Sequence, residues 1–184
     1  MSAFLFDKNL FHQIDTNAYN FNSEGILFPE VGKNLILRPL SADDYDKGFL
    51  EVLQELTDVG NVTRDQFLSR YHYMKACDGS YYIIVIEDII KNLIVGSATL
   101  VIEQKFIHEC SVRGRIEDVV VSQNYQKKNL GKVLISTLCA ISEKLNCYKI
   151  TLECKDNLLP FYENFGFKKE LNNSNYLQKR FNKS

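Results

Sequence analysis

The stretch IEDVVVSQNYQKKNLGK, residues 116–132, decides the fold. Its first six residues are rich in β-branched side chains and read as a strand. A short polar loop follows. From Leu130 the period changes, and Leu130, Val133, Leu134, Leu138, Ile141 and Leu145 fall on one helical face. A strand that turns directly into a helix leaves backbone N–H groups unpaired at the helix start. Together with the positive end of the helix dipole they suit an anion. Gly131 lets the backbone approach a ligand closely, and Lys127, Lys128 and Lys132 add positive charge. Taken alone, the same residues also describe an ordinary strand-to-helix turn.

Downstream, residues 148–154 return to strand character. A right-handed crossover through the helix makes strands 115–121 and 148–154 parallel neighbours. Upstream, 81–87 and 93–103 read as a hairpin around Asn92. Residues 35–38 form a strand ended by Pro39. Ser41-Ala42-Asp43-Asp44 and Thr63-Arg64-Asp65-Gln66 are capping boxes, opening helices to about 56 and about 75. A short helix over 158–164 can end in a left-handed cap at Gly166. Residues 167–171 and 176–181 are expected to pair as the last strands. The order predicts an α/β (α+β) fold, a mixed twisted central sheet with helices on both faces. Residues 1–33 read as an extended arm with one short helix near 7–13, and 34–184 as a single domain.

Composition narrows the classes. Of 184 residues, 45% are hydrophobic and the net charge is −1, so nothing draws the whole chain to nucleic acid or an anionic membrane. No apolar run approaches the ~18 residues of a transmembrane span, and the N-terminus lacks a secretory pattern. Five cysteines without a CxxC pair argue against a disulfide framework or a zinc site and for a reducing compartment. A cytoplasmic location is expected, leaving open a peripheral association with organelle membranes.

Gln126 to Gly131 resembles the acetyl-CoA-binding signature of the GNAT superfamily, Q/R-x-x-G-x-G/A, with Asn129 where the first glycine is usual. Asn is well suited to the positive φ required there. Residues 157–167, NLLPFYENFGF, resemble the second superfamily landmark, FYxxxGF. The two lie in order around a β-α-β unit and together are far more specific than either. The blocks KFIH (105–108), RGRIEDVVV (113–121), CYKITLEC (147–154) and LTDVG (56–60) narrow the resemblance to the glucosamine-6-phosphate N-acetyltransferase family, over about 35–181.

That resemblance implies acetyl transfer from acetyl-CoA to the amine of glucosamine 6-phosphate by direct attack in a ternary complex, in UDP-N-acetylglucosamine biosynthesis, with no metal. It implies a homodimer that binds small molecules and no nucleic acid. It assigns Asp118, Val119 and Val121 to the pantetheine arm, and Gln126, Lys127, Lys128, Asn129, Leu130 and Gly131 to the diphosphate. Tyr162 would serve the sulfur leaving group, and Glu153 would hold or deprotonate the amine. Glu117 is a further catalytic candidate; an ion pair with Arg113 or Arg115 accounts for it equally well. On a regular strand Glu117 and Asp118 face opposite ways, so one of them would meet the substrate. Thr57, Lys105, Phe106, Ile107, His108, Glu117, Asp118 and Glu153 are substrate-binding candidates, and Arg180 would reach the phosphate from the partner subunit. The family's asparagine four residues before its tyrosine is Leu158 here, with Asn157 one place earlier. Two other functions compete: a GNAT enzyme acting on another small amine or a protein amine, and a non-catalytic dimeric module that binds acetyl-CoA.

Overall fold

Six strands build one sheet among the described residues, which are 4–15, 30–126, 128–170 and 176–181 of the computed structural model. They are β1 (Glu30–Gly32), β2 (Leu35–Pro39), β3 (Tyr81–Asp88), β4 (Leu93–Gln104), β5 (Val112–Val121) and β6 (Cys147–Thr151). Each strand neighbours the next in the chain. All pairs are antiparallel except β5 and β6, which are parallel as the crossover rule requires. The chain divides into two compact units, Met1–Glu153 and Cys154–Ser184.

The first unit holds the whole sheet. β3 is buried from Tyr82 to Asp88, the pattern of a strand covered on both faces. The hairpin from β3 to β4 turns at Asn92, whose φ of 52° is the left-handed value that asparagine tolerates. Helix α4 (Leu130–Lys144) covers one face. Its Ser142 approaches Gly114, where an added Cβ would lie 2.7 Å from Ile150 Cγ2 and 3.0 Å from Leu100 Cδ1. Glycine is therefore what lets helix and strand close at that point. Helices α1 (Phe49–Gln54) and α2 (Arg64–Ala76) serve the other face, where Phe49, Val52, Phe67 and Tyr71 join Ile83, Val85, Ile94 and Val120 in one cluster. Leu5 of the N-terminal stretch belongs to the same cluster.

A buried charge network ties β2 and β3 to the turn after them. Arg38 donates from Nη2 and Nη1 to the two Asp44 oxygens at 2.6 and 2.8 Å, and from Nε to Glu87 at 2.7 Å. Lys47 completes it on Glu87 at 2.6 Å.

Both capping boxes are present, but the first does not open one long helix. A 3-10 helix spans Ala42–Lys47, Gly48 takes φ 78°, and only then does α1 begin. The break re-aims the chain so that Phe49 and Val52 enter the core. β1 falls where no periodicity announced it, being three residues long. β5 starts earlier than expected, running through Gly114, and β6 ends at Thr151 instead of 154.

In the second unit a 3-10 turn (Asp156–Leu158) leads into α5 (Leu159–Glu163), with Pro160 in its first turn and Gly166 at φ 84°. The expected final strand pair is corrected here: 167–170 and 176–181 carry no strand, and 171–175 lie outside the described residues. An alternating pattern states a preference, and a strand exists only where a neighbour supplies the ladder. Among the described residues no helix is long and apolar enough to cross a membrane.

Candidate active site

The site begins with a defect in the ladder. Ser97 pairs with Val120 and Thr99 with Glu117, so Asp118 and Val119 both stand opposite Ala98. This is a β-bulge, which bends its strand and leaves a residue out of the pairing. Asp118 adopts φ 52° to make it. The bulge replaces simple alternation. Glu117 is half-buried, Asp118 is exposed, and Val120 returns to the core. Burial by the surrounding protein, and then the Glu117 charge, push the Asp118 carboxyl above its ordinary range; because the side chain still reaches water the effect is tempered.

The second neighbour of β5 gives out early. β6 pairs only from Val112–Cys147 to Arg115–Thr151. Beyond Arg115, β5 keeps β4 on one side and has no strand on the other among the described residues. An open edge of backbone donors and acceptors therefore runs from Ile116 to Val121.

That edge leads into the turn before α4. The Ser122 N–H donates to the Val95 carbonyl at 2.9 Å, and the Tyr125 N–H to the Ser122 carbonyl at 2.8 Å. Tyr125 is buried, and its hydroxyl donates to Asp88 at 2.6 Å. Lys91 and Lys128 place their ammonium groups 5.1 and 4.7 Å from the Tyr125 ring centre. Asn129 takes φ 58°, ψ 12° immediately before Leu130, the first residue of the 15-residue α4. The first N–H groups of that helix thus point out of the turn, with cations close by. This donor set fits a diphosphate, and the β5 edge fits an amide-bearing arm. Lys127 lies outside the described residues.

At the far side of β5, Arg115 stands between two carboxylates. Its Nε bonds Glu117, and its Nη2 bonds Glu153 at 2.7 Å. Glu117 and the candidate amine partner Glu153 are therefore joined through one guanidinium, and the second oxygen of Glu153 has no partner among the described residues. Arg113 donates to the Thr151 hydroxyl at 2.8 Å. Ion pairing thus accounts for one oxygen of Glu117.

The remaining candidates divide. Thr57 follows α1, exposed, with its N–H on Leu53 at 3.2 Å. Lys105, Phe106, Ile107 and His108 lie at the opposite end of β5 from the α4 turn. The strand's nine steps put about 30 Å between its ends. There α3 (Ile107–Cys110) is a single turn in which His108, Glu109 and Cys110 all have positive φ. His108 packs on Tyr148 at 4.6 Å, Lys105 pairs with Glu103 at 2.5 Å, and Phe106 is 96% exposed. The tip stands a strand's length from the α4 loop, but Lys105 reaches back toward Glu117: its partner Glu103 also meets Arg113 at 3.8 Å and feels the charge of Arg115, which holds Glu117. A cavity of about 460 Å³, beside Gln54, Gly60 and Arg64, includes none of the candidates.

Tyr162, Asn157 and Arg180 belong to the second unit. Tyr162 lies in α5 with Phe161 and Phe167 edge-on at 5.0 and 6.0 Å. Burial, and then Cys154, raise its phenol above 10.0, so the hydroxyl keeps its proton and remains a donor at neutral pH. The Cys154 thiol is likewise pushed up, by burial and then Asp156, which suits it poorly to act as a nucleophile. Asn157 sits in the 3-10 turn, and Arg180 is exposed without regular structure. Sequence reading passed over Glu55, Asp88 and Lys91. They reach the loop from other elements, and only Tyr125, an aromatic in a polar turn, hinted that the loop was anchored.

The sequence profile of the acetyltransferase (GNAT) family matches residues 48–167. A Drosophila melanogaster protein named as a probable glucosamine 6-phosphate N-acetyltransferase is 46% identical over 181 residues, covering 97% of this chain and 82% of its own. Glucosamine 6-phosphate N-acetyltransferase 1 of Dictyostelium discoideum is 40% identical over 76% of this chain and 88% of its own. The crystal structure of glucosamine-6-phosphate N-acetyltransferase from Arabidopsis thaliana superposes with a TM-score of 0.77 at 33% identity, over 82% of this chain and all of that one. With the bulged strand, the opened edge and the left-handed turn into α4, these similarities show that the chain belongs to the GNAT acetyltransferases and, within them, to the glucosamine 6-phosphate N-acetyltransferase family.

Proposed function

We infer that this protein transfers the acetyl group of acetyl-CoA to the amine of D-glucosamine 6-phosphate, giving N-acetyl-D-glucosamine 6-phosphate and CoA. The observation that carries the reading is the open edge of β5 running straight into the Asn129 turn, which offers a continuous track of backbone donors and acceptors ending at a helix start. The diphosphate of acetyl-CoA binds at Leu130 and Gly131, with Gln126, Lys127, Lys128 and Asn129 around it. Its pantetheine arm follows Asp118, Val119 and Val121, with Asn157 as a further contact.

Acetyl-CoA supplies an activated thioester. The amine lone pair attacks the carbonyl carbon, the C–N bond forms, the C–S bond breaks, and the electron pair leaves on sulfur. Tyr162 donates its hydroxyl proton to that sulfur. Glu153 holds the amine and takes the proton the nitrogen sheds, through the oxygen not used by Arg115; Glu117 keeps Arg115 in place, and water carries that proton back to the Tyr162 phenolate. Thr57 and Asp118 contact the sugar. Lys105, Phe106, Ile107 and His108 contact it as well, and Arg180 reaches its phosphate from the partner subunit of a homodimer by a guanidinium fork. A cytoplasmic enzyme folded as one domain over 34–184 completes the proposal.

Thiol release from acetyl-CoA, followed against a panel of amines, tests it. Glucosamine 6-phosphate should exceed glucosamine in kcat/KM by at least about 100-fold, since the lost phosphate contacts are charged hydrogen bonds. Equal rates for the two sugars, or preference for a peptide amine, would overturn the substrate assignment.

A further inference from the structure

We propose that Glu55 is a positioning residue that ties the diphosphate loop to the segment carrying Thr57, so that acetyl-CoA and the amino-sugar phosphate bind more tightly together than apart. The carboxylate spends both oxygens on one short turn. Oε1 accepts from the Ser122 hydroxyl at 2.9 Å and Oε2 from the Gln123 N–H at 2.7 Å. This turn is where β5 ends and the loop begins. The Asp88–Tyr125 hydrogen bond pins the same loop two residues further on, at 2.6 Å.

Glu55 also closes α1. Its N–H donates to the Val52 carbonyl at 3.2 Å, and the Leu56 and Thr57 N–H groups donate to Leu53 at 2.9 and 3.2 Å. Thr57 is therefore held by the same last helical turn that presents the carboxylate. Ordering the loop orders the turn, and ordering the turn orders the loop. A ligand that bears the ordering cost at one side lowers it for a ligand at the other.

Charge makes the argument testable by sign. Glu55 is exposed, so its hydrogen bonds add little to global stability. It also places a negative charge at the mouth of an anion site, which electrostatics alone would count against cofactor binding. If Glu55 only repelled the diphosphate, removing it would tighten binding. If it positions the loop, removing it weakens binding.

The inference rests on the function proposed above, and the test separates the two. Calorimetric titration of the full chain with CoA, which cannot react, is done with and without saturating glucosamine 6-phosphate for the wild type, Glu55→Ala and Glu55→Gln. In the wild type the sugar phosphate tightens CoA binding by at least about threefold. Glu55→Ala weakens CoA by about 3- to 10-fold, abolishes that tightening, and moves KM for acetyl-CoA more than kcat. Glu55→Gln, which keeps one acceptor oxygen and drops the charge, restores at least half of the tightening. Thermal midpoints stay alike, separating positioning from folding. Equal or tighter CoA binding by Glu55→Ala, or an undiminished effect of the sugar phosphate, overturns the proposal while leaving the function standing. A wild type that binds CoA but shows no tightening overturns it as well. A wild type that binds no CoA overturns both.

Discussion

Tyr162 and Asn129 owe their proposed roles to properties that single residues own. Burial keeps the Tyr162 proton on oxygen well past neutral pH, so the group is a donor wherever the amine is reactive. Replacing it by Phe should lower kcat by about 100-fold with CoA affinity nearly unchanged, read by single-turnover kinetics and titration. The pH profile supplies a second check. Because the folded value is raised, the folded protein holds this proton longer than the unfolded chain does, so Tyr162 lends stability below pH 10.0 that is lost as pH rises through its folded value. A Tyr162→Phe variant should lose less stability in that alkaline range. At Asn129, φ 58° was foreseeable, since of the non-glycine residues asparagine bears it well. Asn129→Gly should be neutral or mildly favourable for acetyl-CoA. Asn129→Val, β-branched, should raise KM for acetyl-CoA by about tenfold, because left-handed backbone costs such a residue ~1–2 kcal/mol.

Elements show where pattern reading succeeds and where it stops. α4 was legible because Leu130, Val133, Leu134, Leu138 and Ile141 repeat at helical spacing, and all five are buried. The parallel pairing of β5 and β6 followed from chain handedness. The bulge at Asp118 was not legible. It depends on the register Ser97 and Thr99 impose from a different strand, and no local pattern encodes a partner's register. The split of the first helix at Gly48 was hidden for the same reason: the glycine answers Leu93, whose Cδ1 would lie 2.9 Å from an added Cβ. Gly114 gives the element-scale prediction. Gly114→Ala forces a methyl against Ile150 and Leu100 and should destabilise by about 2 kcal/mol in a urea melt, while circular dichroism shows the same secondary structure.

At the scale of the molecule, the network around Arg38 and the proposed reach of Arg180 into a partner's site matter most. Asp44 is completely buried and depends on Arg38. Arg38→Met should cost about 3–5 kcal/mol, because it strands a buried charge. Burial alone would raise the Glu87 carboxyl, but the hydrogen bonds from Lys47 and Arg38 outweigh it and hold the group below 4.5. A depressed carboxylate stabilises above its unfolded value and stops doing so as pH falls through its folded one. Urea midpoints should therefore drop as pH falls below 4.5, and fall less steeply in Arg38→Met. The reach of Arg180 to a partner predicts shared sites. Coexpressing Arg180→Ala with Tyr162→Phe, each nearly inactive alone, should restore about a quarter of wild-type activity if Arg180 serves the partner, because half of the dimers are mixed and each has one intact site. No restoration would place Arg180 in its own chain's site.

Local chemistry written along the chain determined the class of fold, the left-handed turn into α4 and the family, because helical period, turn residues and a helix start each depend on a few neighbouring residues. Tertiary structure alone decided the bulge at Asp118, the pairing of Glu117 and Glu153 through Arg115, the grip of Glu55 and Asp88 on the loop, and the distance of His108 from that loop. Each of these joins residues far apart in sequence. Geometry between distant residues exists only once the sheet has chosen its register.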